Sequence, residues 1–270
     1  LYTNRNELKE LQLDQIFHQY AMFKLDNGQF DEAEEILNEA ENWFANSEDY
    51  RSRQIEIETV RLNLMRKKGD LNKAQEYMNS KLKEYGRIHV TGLALAGFYN
   101  AAAELILTEL LIQGPEILLR AEDLICQALK IYQDHGKKTG EIRCHNKLGM
   151  VAQNKGDTED ARHRYKQGAA ISRQIGDRLS EAICLSNIPP DFNNSSWESE
   201  IEKHIRLLDV SEEAGAYPVI AGAYNNIGAN NSDRSNIEIA VKCFERAIKI
   251  YNQIGHKGRT ARTYYSMALA

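Results

Sequence analysis

Residues 156–168 read GDTEDARHRYKQG, and the chain carries two further versions of this stretch, GQFDEAEEILNEA at 28–40 and GDLNKAQEYMNSK at 69–81. Each opens on glycine, continues with polar or acidic residues and reaches an alanine five places on, at Ala161, Ala33 and Ala74. The residue types specify a helix, a tight turn and a second helix. Glycine takes a positive φ at a helix end without steric penalty. The polar residues after it cap the next helix or complement its positive end. The alanine lets two helix axes approach, and an apolar residue four places later falls on the same stripe.

Working outward, Ala121 and Ala240 begin equivalent second helices without the glycine, and Ile201 is the expected counterpart between Ala161 and Ala240. The alanines at 33, 74, 121, 161 and 240 fall 41, 47, 40 and 79 residues apart, the last about twice the others. The apolar partners four places on are Leu37, Met78, Ile125, Tyr165, Ile205 and Phe244. A single helical hairpin leaves its apolar stripe exposed, so the hairpins must stack on one another. The 47-residue interval places an insertion near Gly114-Pro115, read as a tolerated loop. Pro189-Pro190 should stop a first helix near Ile188, because proline lacks the amide donor and restricts the residue before it. Phe192 and Trp197 lie beside that break.

Composition agrees with an all-α chain. Among 270 residues there are only 4 prolines, and strong helix formers dominate. The net charge of −5 comes from interspersed signs, 34 basic against 39 acidic residues. No basic stripe points to nucleic acid or an anionic membrane. The four cysteines (Cys126, Cys144, Cys184, Cys243) show no CxxC spacing and read as small buried residues in a reducing, cytoplasmic setting. The apolar stretch from Thr91 to Gly114 has the length of a membrane span, but Asn100, Glu104 and Glu109 interrupt it; a helix buried on several sides is expected. The expectation is one repeat domain over residues 1–270, excerpted from a longer multidomain protein.

These marks resemble the tetratricopeptide repeat family. Its small first-helix pair is matched by Leu148-Gly149 and Ile227-Gly228, with Met267-Ala268 opening a further unit. Its second-helix set is matched by Ala161, Tyr165 and Gly168, and by Ala240, Phe244 and Ala247. Units of ~40 rather than ~34 residues, with phrases such as ISRQIGDRLSEAICLSNI and IYNQIGHKGRTARTYYSMA, resemble the subset found in adaptors, peptide-sensing regulators and the sensor regions of signalling ATPases. The resemblance implies a right-handed superhelical solenoid of about six helix–turn–helix repeats plus a partial seventh, and a scaffold or sensor role within a larger regulatory protein.

The family lines its concave groove with first helices. That implies a ligand-binding set of Asn100, Arg143, Asn146, Lys147, Asn187, Asn225, Asn226, Arg262, Tyr265 and Ser266. Asparagine suits the task, since its amide both donates to and accepts from the main chain of an extended peptide whatever that peptide's side chains. Arginine and lysine suit carboxylates. The expected partner is a protein or peptide segment, with a small metabolite as the alternative. No cofactor, metal or catalytic residue is expected: HExxH and GxSxG are missing, and the stretch from His135 to Thr139 lacks the upstream glycine of a phosphate loop.

Overall fold

The computed structural model describes residues 17–25, 27–45, 50–88, 92–108, 116–189 and 197–270. Every regular element among them is an α-helix. In chain order these are α1 (17–25), α2 (Phe30–Phe44), α3 (Tyr50–Lys68), α4 (Leu71–Ile88), α5 (Leu93–Thr108), α6 (Ile117–Asp134), α7 (Lys138–Asn154), α8 (Thr158–Ile175), α9 (Arg178–Asn187), α10 (Trp197–Glu213), α11 (Tyr217–Ser232), α12 (Ile237–Gln253) and α13 (Lys257–Leu269). They form two compact units, one up to Gly140 and one from Glu141. Among the described residues no helix is long and apolar enough to cross a membrane. The insertion near Gly114-Pro115 and Phe192 lie outside the described residues.

The turns form as their residues require. After α7, Gly156 takes φ +82°, its amide donates to the Gln153 carbonyl and that of Asp157 to Ala152, which satisfies carbonyls the helix leaves open. Asp157 then caps α8 by accepting from the Asp160 amide at 3.0 Å, and Asp177 caps α9 in the same way from Ser180. The α11–α12 turn has no glycine, and Ser235 is driven to φ +61°. A side chain there costs roughly 1–2 kcal/mol, part of which glycine gives back as chain entropy. Ser235→Gly should therefore raise stability by about 0.5–1 kcal/mol, measured as a higher urea midpoint; a lower midpoint would contradict this account of the turn.

The second helices repeat one inward pattern. Four places after each alanine, Leu37, Met78, Ile125, Tyr165 and Phe244 are all buried. A further inward place, eleven after the alanine, holds Phe44, Tyr85, Tyr132, Ser172 and Tyr251, also buried. The α10 helix corrects the sequence reading. Ile205 is 51% exposed, whereas His204 is buried, followed by Leu207 and Ser211. Ser211 donates to the Leu207 carbonyl as Ser172 does to that of Gly168. The register of α10 is thus one residue earlier than the Ile201–Ile205 reading, and a histidine sits where its neighbours place tyrosine or phenylalanine. The first helices pack through small residues against these aromatics. A Cβ on Gly149 would lie 2.7 Å from the Tyr165 ring, and one on Gly228 would lie 2.8 Å from Phe244.

In the first unit, α5 buries ten of its sixteen residues, as the Thr91–Gly114 stretch suggested. Beside it lies a buried polar cluster. Glu58, 2% exposed, accepts from Lys81 Nζ at 2.6 Å and from the Tyr85 hydroxyl. Burial alone would lower the pKa of Lys81, but hydrogen bonds to Glu58 and Glu84 reverse the direction. Burial, reinforced by the Glu58 charge, pushes the Tyr77 phenol up to about 12. In the second unit Glu181 is buried between Arg173 and Arg178, at 2.7 and 2.9 Å. Its burial opposes ionisation, and the two guanidinium hydrogen bonds more than offset that, so its pKa falls. The cysteines divide: Cys144 and Cys184 are buried, Cys243 is partly buried, and Cys126 is exposed, contrary to the reading of all four as buried.

Candidate functional site

Within the second unit the first helices α9, α11 and α13 lie side by side, α11 touching both of the others. Between them runs a cleft of about 350 Å³. One end is formed by Ser186 and Asn187, the last turn of α9 before Pro189 ends that helix. Pro218, Gly222, Asn225 and Asn226 come from α11; Pro218 and Gly222 are four apart, and Asn225 and Asn226 follow Gly222 by three and four, so that one face points inward. Arg259, Arg262 and Thr263 come from α13, again on one face. The second helices supply Leu207 and Tyr251.

Gly222 keeps the cleft open. A Cβ there would meet only the Tyr251 hydroxyl at 3.7 Å and Arg259 at 4.0 Å, so the backbone of α11 is exposed to an occupant without strain. Arg259 Nη1 donates toward the Tyr251 hydroxyl at 3.5 Å, and Thr263, 2% exposed, donates to the Arg259 carbonyl at 2.9 Å. Asn187 donates to Asn146 Oδ1 on α7 at 2.9 Å, which joins a fourth first helix to the cleft wall. The Oδ1 atom of Asn225 is buried and meets no donor among the described residues.

Four of the ten residues singled out from sequence come together here: Asn187, Asn225, Asn226 and Arg262. Asn146 adjoins them through its bond to Asn187. Arg143 is exposed on α7 and Lys147 half-buried; neither lines the cleft. Tyr265 is 67% exposed and does not line the cleft, and Ser266 donates to the Arg262 carbonyl. Asn100 belongs to the first unit, buried in α5. The sequence reading missed Arg259, Tyr251 and Gly222. A signal for Arg259 was present: the run HKGRTAR sets basic residues at the start of a helix, against its dipole. Tyr251 was legible only as a member of the buried place eleven after each alanine.

The family model for the tetratricopeptide repeat matches residues 220–254, which covers most of the α11–α12 hairpin and so two walls of the cleft. No curated protein matches the chain by sequence. Among solved structures, the apo form of RapI superposes with a TM-score of 0.70 at 18% identity, covering 94% of this chain and 70% of that one. BtubC (BKLC) from P. vanneervenii gives a TM-score of 0.66 at 18% identity, over 86% of this chain and 92% of its own. A Rap protein complexed with competence and sporulation factor gives 0.58 at 14% identity, over 95% and 70%. At these identities the likeness is one of fold. Residues 220–254 thus match a tetratricopeptide repeat, and the chain as a whole has the helical-repeat fold of these solved structures.

Proposed function

We propose that this chain is a non-catalytic binding module that holds an extended segment of another protein in the cleft between α9, α11 and α13. The observation that carries the reading is the lining itself. Three asparagine amides and two guanidinium groups converge from three successive first helices on one open cleft, with the Asn225 acceptor buried and unpaired at its wall. Amides in a row read a peptide main chain, and the exposed α11 backbone at Gly222 leaves room for it. The Rap protein solved with competence and sporulation factor supports a binding role for this kind of fold. Placement in a regulatory or signalling protein follows from the family resemblance.

The test begins with a display library of random peptides panned against the chain. Recovered peptides are then titrated by calorimetry into wild type, Asn225→Ala/Asn226→Ala and Gly222→Leu. Two lost hydrogen bonds of about 1 kcal/mol each should weaken binding at least tenfold, and the leucine should fill the cleft and abolish binding. Affinities that stay equal across all three proteins would sink the assignment of the site. The cleft volume also falls in the range of small-ligand sites, roughly 300–1,000 Å³, which favours a metabolite as the second reading. Thermal-shift screening distinguishes the two. A metabolite at 100 times its Kd stabilises by about 2.7 kcal/mol, and only in proteins that keep Gly222.

A further inference from the structure

A buried ionised side chain is tolerated when a counter-charge meets it, as Arg173 and Arg178 meet Glu181 in the second unit. His145 on α7 is buried on other terms. It is 5% exposed, and its Nδ1 atom is enclosed without a hydrogen-bond partner among the described residues. Its place is a junction of three helices. A Cβ added to Gly168 of α8 would meet the Cβ of His145 at 3.6 Å and the sulfur of Cys184, on α9, at 2.9 Å. Cys184 stands one turn before Asn187, and Asn187 is bonded to Asn146, the residue after His145. His145 is thus built into the joint between α7 and the stretch of α9 that forms one end of the cleft.

A neutral imidazole suits this joint and an imidazolium does not. From α8 the ring is faced by Arg164, which Asp160 answers at 3.1 Å, and by His163. On its own helix Glu141, one turn earlier, attracts a proton to it. From α9, Cys184 brings a thiol whose burial pushes its pKa up to about 11, so it supplies no negative charge, and Glu181 is already held by two guanidinium groups. Burial, and after it the Arg164 charge, lowers the pKa of His145 from its ordinary 6.5; His163 adds to the lowering and Glu141 opposes it. The folded chain therefore disfavours the charged ring more than the unfolded chain does. The stability this provides is fully present above pH 6.5 and is lost as pH falls through the folded pKa.

We propose that His145 makes the cleft acid-sensitive: when the buried ring takes up a proton from solvent, the joint of α7, α8 and α9 loosens, the Asn146–Asn187 bond is lost and the α9 wall detaches. At neutral pH the same joint holds Ser186 and Asn187 in place at the cleft end. The device goes beyond the peptide reading and needs no particular occupant of the cleft.

Hydrogen exchange read by mass spectrometry tests this on the whole chain at about pH 7.5 and about pH 5.5, with rates corrected for the intrinsic pH dependence of amide exchange. The proteins are wild type, His145→Gln and His145→Phe, and α12, which contains no histidine, serves as the internal reference. One group can shift an opening equilibrium by at most about tenfold at one pH unit below its unfolded pKa. Opening of residues 178–187 in wild type should therefore rise about three- to tenfold relative to α12 on acidification. In both variants the rise should stay under about twofold, because neither side chain takes up a proton. Equal rises in all three proteins, or none in wild type, would overturn the proposal. Should neither variant fold, the titration of the His145 ring in wild type by nuclear magnetic resonance decides it. A midpoint clearly below 6.5 supports the device, and one at or above 6.5 refutes it.

Discussion

Replacing Lys81 by methionine is expected to destabilise the first unit by about 3–5 kcal/mol, read as a lower urea midpoint in circular dichroism. The reason is what the substitution leaves behind. Glu58 has only 3% of its side chain exposed, and its charge is answered by Lys81 at 2.6 Å and by the Tyr85 hydroxyl. Without the ammonium, one phenol must serve a buried carboxylate. Such a group protonates or drags the local structure open. Lys81 also reaches Glu84, but that carboxylate is 38% exposed and can turn to water, so losing it adds little. Adding Glu58→Gln to Lys81→Met removes the stranded charge while keeping an acceptor for Tyr85, and should restore at least half of the loss. A single substitution costing less than about 1 kcal/mol would mean that Glu58 is far better hydrated than its burial implies.

Phe244→Ala should cost about 3–5 kcal/mol in the second unit, since a phenylalanine 1% exposed leaves a cavity that the packed helices cannot close. Gly228→Ala attacks the same contact from the other side. Its new Cβ would meet the Phe244 ring at 2.8 Å, a clash that calls for movement of α11 or α12 and costs about 1–3 kcal/mol. The informative measurement is the pair. With Phe244 already truncated the ring is gone, so Gly228→Ala should then cost under about 1 kcal/mol, because contacting sites do not add. Strict additivity would show that glycine is required at 228 for some reason other than approach to Phe244. The same α11 carries Gly222, Asn225 and Asn226 of the cleft.

The α10 helix shows where residue patterns lose their hold. The alternation of polar and apolar residues favours Ile205 as the inward partner, because isoleucine is apolar and histidine is not. The structure buries His204 and exposes Ile205. Helix register is decided by the whole face, and here that face is His204, Leu207 and Ser211, all buried. The same limit applies to the cleft. Asn225 and Asn226 were legible because they precede the Ile227-Gly228 mark by one and two places, a local relation. Asn100, Arg143, Lys147, Tyr265 and Ser266 carry the same chemistry on first helices, yet none lines the cleft.

The sequence by itself determined the hairpins. Glycines at 28, 69 and 156, the polar residues after them and the alanines at 33, 74, 161 and 240 act within one or two helical turns, where local sterics and capping suffice. Only the tertiary structure decided which polar residues face one another. Asn187, Asn226, Tyr251, Arg259 and Arg262 span some seventy-five residues of chain, and their convergence depends on the packing of α9, α11 and α13. That packing depends on how surfaces meet in pairs, as Gly228 meets the Phe244 ring, a property that no single stretch of the chain contains.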